Sequence, residues 1–184
     1  MKGGKSCCSD GIDSFSLKLA APLIEYALLH LINLSIRTSI FSAIWKHQLI
    51  FPHHKKGDKA KLENFRPVSH LIEVGKLVEY AVFDQVLEHF LAHNLFHQNH
   101  HGGLPHHSTN TALIQLQDMF LEAANDKKFT AALLLDQSAA YDLLDHTLLG
   151  KLKAYNFNPE SIDWFQSYLN GRSQSVQVEV KQSE

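Results

Sequence analysis

Cysteine is nearly absent from this chain. Its two cysteines, Cys7 and Cys8, stand side by side near the start. They offer neither a disulfide framework nor a ligand set for structural zinc, and a reducing compartment is expected. Long apolar runs are missing too. The most apolar stretch, residues 23–36, is interrupted by Glu25, His30 and Asn33, and on that count is too short to cross a bilayer. The opening MKGGKSCCSDGIDS has lysines but no apolar core behind them, so a secretory leader is not expected. Nor is there an excess of charge. Seventeen Lys and Arg face nineteen Asp and Glu, a net charge of -2, with a pI near 6.7. That balance excludes a protein that holds nucleic acid by charge over its whole surface and leaves only a local basic patch for the task. These absences predict an intracellular protein of nucleus or cytoplasm, not secreted and without a membrane partner.

What is present describes a folded domain. The 184 residues are 45% apolar and 20% charged, enough for a real core and unlike a disordered chain. Thirteen histidines make the net charge soft, because mild acid would turn the chain cationic.

Periodicity predicts helices over residues 17–39, with Ile24, Ala27, Leu28, Leu31 and Ser35 at helical spacing and Pro22 in the first turn. A second covers residues 72–93, with Val74, Leu77, Val78, Ala81, Val82, Val86 and Phe90 along one stripe and Lys76 and Glu79 toward solvent. A third covers residues 109–124, capped by Ser108, with Ala112, Leu113, Leu116, Phe120 and Ala123 inward. Asp145 reads as the cap of a helix whose Leu148, Leu149, Leu152 and Tyr155 face inward. Ser161 reads as the cap of a short helix carrying Trp164, Phe165, Tyr168 and Leu169 and closed by Asn170-Gly171. Strands are expected over residues 45–52, over 131–135 as a run buried on both faces, and at the end, where Val176, Val178 and Val180 alternate with polar residues.

Residues 46–66 hold six basic residues, Lys46, Lys55, Lys56, Lys59, Lys61 and Arg66, against Asp58 and Glu63. On a chain of net negative charge this asymmetry is the local patch that nucleic acid would need, although a charge run is more often a solvated loop. Residues 94–107 carry His97, His100, His101, His106 and His107 around Gly102-Gly103. No H-E-x-x-H or Cys/His spacing makes them a metal site, and a polar loop is the expectation. The stretch FTAALLLDQSAAYDLLDH, residues 129–146, ends its apolar run on Asp136. Small residues and an aromatic follow, which leaves room for a ligand near the backbone. The plainer reading of that acid is a turn former.

The segment 136–142 resembles the first palm motif of reverse transcriptases, D-x-S-x-A-[FY]-D, with Asp145-His146 behind it as in LINE-type, jockey-like retrotransposons that lack long terminal repeats. In order along the chain, Lys5 to Ile12 resembles the segment that precedes the fingers in that branch. Trp45-Lys46, Pro52 with Lys55 to Asp58, and Asn64-Phe65-Arg66-Pro67-Val68-Ser69 resemble its fingers motifs. Gln98 to Thr109 resembles its Q-x-G-F-R-x-x-x-S-T, with one added residue and Gly103-Leu104 where the family has F-R. The resemblance runs from about residue 5 to the end. It implies an α+β fold, the fingers and a partial palm of a right-hand polymerase (the reverse transcriptase fold, truncated), with an N-terminal helical segment and fingers over 1–128 and the first part of the palm over 129–184.

The implied activity is RNA-directed DNA polymerisation on an RNA template and a DNA primer with deoxynucleoside triphosphates. Asp136 is the implied catalytic residue and ligand of Mg2+ or Mn2+. Arg66, Gln137 and Tyr141 are implied at the incoming nucleotide, Tyr141 beneath its sugar, and Lys55, Lys56, Lys59 and Lys61 on nucleic-acid phosphates. Two-metal chemistry needs further carboxylates, and the family's later [FY]-x-D-D and G-x-P-Q-G strings do not occur in these residues. The chain is therefore expected to be inactive by itself. Two alternatives remain: a noncatalytic nucleic-acid-binding remnant or domesticated module, and a His-rich metalloenzyme.

Overall fold

The structure, a computed structural model, describes residues 10–136, 145–178 and 181–182. Gln137, Tyr141, Asp142, Cys7, Cys8 and most of the stretch Lys5 to Ile12 lie outside the described residues. The chain divides into two compact units, residues 1–86 with 146–184, and residues 87–145.

Helix α1 spans Ser14–Thr38. It starts three residues before the periodicity suggested because Asp13 caps it, the carboxylate accepting from Ser16 N–H at 2.6 Å. Pro22 therefore lies inside the helix and not in its first turn, where its missing N–H costs one backbone bond. Measured over all 25 residues, α1 is long and apolar enough to cross a membrane, with a mean hydropathy of 1.5 in its most apolar 18-residue window. The expectation that the run is too short counted only residues 23–36. One face is anchored to helix α5 (Pro159–Leu169): the buried Ser35 accepts from Trp164 Nε1–H at 3.1 Å and donates to Ile40 C=O at 2.6 Å.

After a 3-10 turn, Ala43–Lys46, come strand β1 (His47–His54), strand β2 (Phe65–His70) and helix α2 (Glu73–Ala92). Toward the end of the chain stand a 3-10 turn, His146–Leu148, then α4 (Leu149–Ala154), α5, β3 (Ser173–Val178) and β4 (Lys181–Gln182). The sheet order is β2-β1-β3-β4, antiparallel between β1 and β2, parallel between β1 and β3 and antiparallel between β3 and β4.

An aromatic cluster forms the core of this unit. Phe41 and Val78 are essentially inaccessible and Trp164 is 5% exposed. Phe41 meets Trp45, Trp164 and Tyr168 edge to face with centroids 5.0 to 5.7 Å apart, the favoured aromatic geometry. Helix α2 approaches Trp45 at Gly75, where an added Cβ would lie 3.0 Å from Trp45 Cβ. This glycine is needed for its small size.

Four expectations are corrected here. Asn158, not Ser161, caps α5, its Oδ1 accepting from Ser161 N–H at 2.8 Å. In β3 the buried residue is Ser175, while Val176 and Val178 are exposed. Ser175 pairs with the buried Leu49 of β1, so register places Ser175 and not the valines on the covered face. The α-helical part of the Asp145 helix begins after the 3-10 turn, with Leu148 at its cap, and Leu148 and Tyr155 are exposed. Glu79, expected in solvent, is only 25% exposed at its side chain.

Glu79 sits with Tyr168 and Arg172. The guanidinium Cζ lies 4.7 Å from the Tyr168 ring centroid, Nη1 donates to Tyr168 C=O at 3.1 Å, and Nη2 is 4.0 Å from the Glu79 carboxylate. Burial raises the Glu79 carboxyl above its ordinary value against the opposing pull of Tyr168, Arg172 and Lys76. Burial first, and then the Glu79 charge, push the Tyr168 phenol up to about 12. A group whose folded value is raised stabilises the fold below its ordinary value and loses that contribution as pH rises through the folded one. Thermal stability of the chain is therefore expected to fall just above the ordinary carboxylate range and again between about pH 10 and about pH 12. Glu79→Gln should remove the first decline and Tyr168→Phe the second, in melting curves recorded against pH.

In the other unit, helix α3 (Thr109–Asn125) has the predicted cap: Ser108 Oγ accepts from Thr111 N–H at 3.3 Å and Thr111 Oγ1 from Ser108 N–H at 2.9 Å. Leu113 and Phe120, expected inward, are exposed. The apolar run 131–135 is not a strand: residues 128–136 have no regular secondary structure, and Phe129, Leu133, Leu134 and Leu135 are all more than four-fifths exposed. A strand buried on both faces needs neighbours in a sheet, and among the described residues nothing pairs with it.

Candidate nucleic-acid interface

The β1–β2 hairpin carries the basic patch. Pro52 pairs with Pro67, His53 with Arg66 and His54 with Phe65. The tip between them is built from its own polar groups. Lys55 N–H donates to Asn64 C=O at 2.8 Å and Lys61 N–H to Asp58 C=O at 3.2 Å. Asn64 Nδ2 donates to Asp58 C=O at 2.8 Å, and Asp58 Oδ1 accepts from Ala60 N–H at 2.9 Å. His54 Nε2 lies 3.0 Å from Gly57 C=O. Gly57 has φ +85, and an added Cβ would lie 2.9 Å from Asn64 Nδ2, so the tip requires glycine there.

This arrangement assigns the charges. The Asp58 carboxylate serves the turn, and Lys55, Lys56, Lys59, Lys61 and Arg66 are exposed. None of these five cations is in an ion pair among the described residues. An ordered tip bearing cations without internal partners is a surface for anionic ligands. Arg172, by contrast, is held against Tyr168 and Glu79 and is not available for that role. An apolar groove of about 270 Å3 between α2 and α5, lined by Val82, Phe83, Trp164 and Phe165 among others, offers phosphate no cation on its walls.

Asp136 belongs to the other compact unit. It is exposed and ends the described run after Leu135. Among the described residues no group of three or more His, Cys, Asp or Glu side chains is placed to hold a metal ion. A magnesium pair needs several carboxylates. The described residues fit one ligand of such a pair and not the set.

The histidine loop is tied into its own unit. His101 Nδ1 lies 2.9 Å from Thr111 Oγ1 and its Nε2 2.7 Å from Gln115 Oε1. His100 stacks on Phe96 with centroids 5.2 Å apart. His97 Nδ1 accepts from Asn99 N–H at 3.2 Å, and His107 Nδ1 lies 2.8 Å from Pro105 C=O.

Sequence reasoning placed Asn64 in a fingers motif without its part in building the turn, and gave His53 and His54 no role in the hairpin. The two prolines could have found them: counting outward from Pro52 and Pro67 as a pair puts His53 opposite Arg66.

The chain matches no protein-family model. It is similar to curated proteins of transposons. It is 28% identical over 175 residues, 92% of this chain, to a probable RNA-directed DNA polymerase from transposon BS of Drosophila melanogaster. It is 33% identical over 128 residues, 69% of this chain, to a transposon TX1 uncharacterized 149 kDa protein of Xenopus laevis. It is 26% identical over 172 residues, 92% of this chain, to the RNA-directed DNA polymerase from mobile element jockey of Drosophila melanogaster. The matched part is 19% of the first and third of these and 9% of the second, so the chain spans about a fifth or less of the length of the curated relatives it matches.

Proposed function

Since the chain is related over most of its length to RNA-directed DNA polymerases of LINE-type transposons, we propose that it forms the fingers and first part of the palm of such an enzyme, with residues 1–128 leading to and forming the fingers and 129–184 beginning the palm. The observation that carries the reading is the ordered β1–β2 tip, whose cations have no ion pair among the described residues. The mixed α and β architecture is compatible with it.

In this reading Lys55, Lys56, Lys59 and Lys61 neutralise nucleic-acid phosphates. Arg66, beside the rigid Pro67, takes the triphosphate of the incoming deoxynucleotide with its bidentate fork. Asp136 contributes one carboxylate to bound Mg2+ or Mn2+, the ions that would supply activation of the primer hydroxyl and support of the leaving pyrophosphate. Gln137 and Tyr141 line the nucleotide, with the Tyr141 ring beneath its sugar. The partners are an RNA template, a DNA primer and deoxynucleoside triphosphates, in nucleus or cytoplasm. Helix α1 is assigned to the protein interior of the larger enzyme and not to a membrane, because Ser35 and Ser39 fasten it to α5 through hydrogen bonds.

The test is binding of an RNA–DNA hybrid by the 184-residue chain as salt is varied. Each phosphate neutralised contributes roughly 0.7 to 0.9 to the slope of log affinity against log salt. Replacing all four tip lysines by alanine should flatten that slope by about 3 and weaken binding to every sequence alike. An unchanged slope would reduce the patch to a solvated loop.

A further inference from the structure

The outer end of the hairpin presents two basic side chains on one face. His53 pairs directly with Arg66 across the antiparallel ladder, so both leave the same side of the sheet, with Cβ atoms about 5 Å apart. Both are exposed, and neither is in an ion pair among the described residues. Toward the base the same face continues through Val68 and Phe51 to His70, whose ring lies 4.6 Å from that of Phe51. Among the described residues of β1 and β2 no carboxylate lies on this face. Among the described residues of the hairpin, His53 is thus flanked on this face by Arg66 and Val68 from β2 and Phe51 from β1, with His70 farther toward the base. His54 leaves the opposite face and is directed to Gly57 C=O, Lys55 follows in the exposed tip, Asp58 is committed to Ala60 N–H, and Glu63 lies in the 3-10 turn Leu62–Asn64.

A protonated imidazole directly opposite a guanidinium is an unfavourable pair by itself. An anion with several negative charges turns it into a favourable one, because both cations then donate to the same ligand. We propose that His53 is a second anion-gripping residue beside Arg66, holding the polyphosphate of the incoming nucleotide in its imidazolium form. The proposal rests on the reading of Arg66 as the triphosphate ligand and adds that the grip depends on protons. By linkage, a polyphosphate that favours the imidazolium must bind more tightly as the imidazole gains its proton. A single extended phosphodiester backbone, with one charge per nucleotide, rewards this pairing less.

The experiment titrates the 184-residue chain, without added metal and at constant ionic strength, with inorganic tripolyphosphate and with a short RNA oligomer, at about pH 6 and about pH 8. Wild type should bind tripolyphosphate about tenfold more tightly at the lower pH, the effect of one pH unit of linked proton uptake. His53→Gln should leave a ratio near two, and His53→Lys should hold high affinity at both pH values. Arg66→Gln should weaken binding at both. A full tenfold ratio in His53→Gln overturns the proposal while the reading of Arg66 stands. Undiminished binding in Arg66→Gln overturns that reading as well. An equal His53-dependent ratio with the RNA oligomer would place the residue on the template backbone and overturn the assignment to the nucleotide.

Discussion

Replacing Leu133 and Leu134 by lysine is expected to increase the soluble, monomeric yield of the 184-residue chain several-fold and to abolish folding of a longer polypeptide in which the palm is complete. The two opposite outcomes have one cause. Leu133, Leu134 and Leu135 are 83%, 89% and 86% exposed, in a run of seven apolar or β-branched residues, 129–135, that has no ladder partner among the described residues. Such a segment is a template for edge-to-edge association, and two lysines, one on each face, block it. In a palm sheet the same two side chains would be buried on opposite faces. Burial of each leucine is worth about 2 kcal/mol, and forcing an ammonium into the site costs more. Size-exclusion profiles of the chain and circular dichroism of the longer polypeptide would read both effects. Unchanged aggregation in the first together with unchanged stability in the second would mean that the run is an ordinary surface segment and not a palm strand.

The helices were legible because their signals are local. Ser108 with Thr111 makes a cap whatever lies elsewhere, and the stripe through Val74, Val78 and Val82 has one periodicity to obey. Errors arose where the outcome depends on neighbours. Residues 131–135 have a strand's composition, but no strand pairs with them among the described residues. In β3 Val176 and Val178 alternate with polar residues as predicted, yet pairing of Ser175 with Leu49 turned Ser175 inward, since a shift of one residue exchanges the faces. The place of Glu79 on the helix predicts solvent, but Tyr168 and Arg172, about ninety residues away, cover it. The hairpin was legible in its residue types and not in its pairing: Lys55, Lys56, Lys59, Lys61 and Arg66 could be chosen from charge and resemblance, whereas the partnership of His53 with Arg66 is a matter of register. Asp136 was chosen by motif and stands exposed at the end of its described run, and Gln137 and Tyr141 lie outside the described residues.

The second large effect concerns Asp136. In a polypeptide that continues this chain with the double-Asp hairpin of the resembled family, Asp136→Asn should lower nucleotide incorporation about a thousandfold or more, because an uncharged amide replaces a hard anionic ligand where charge builds up in the transition state. Hybrid binding should change by less than about twofold, since the tip lysines and not Asp136 are proposed to hold the phosphates. A structural role for Asp136, as a turn former at the end of its segment, would instead lower stability and binding together. The central claim, that these residues are part of an RNA-templated polymerase, is tested most directly by primer extension on an RNA template with magnesium or manganese. The account predicts no product from residues 1–184 alone, template-directed product from the continued polypeptide, and loss of that product with Asp136→Asn. Product from residues 1–184 alone, or a continued polypeptide whose activity is indifferent to Asp136→Asn, would contradict it.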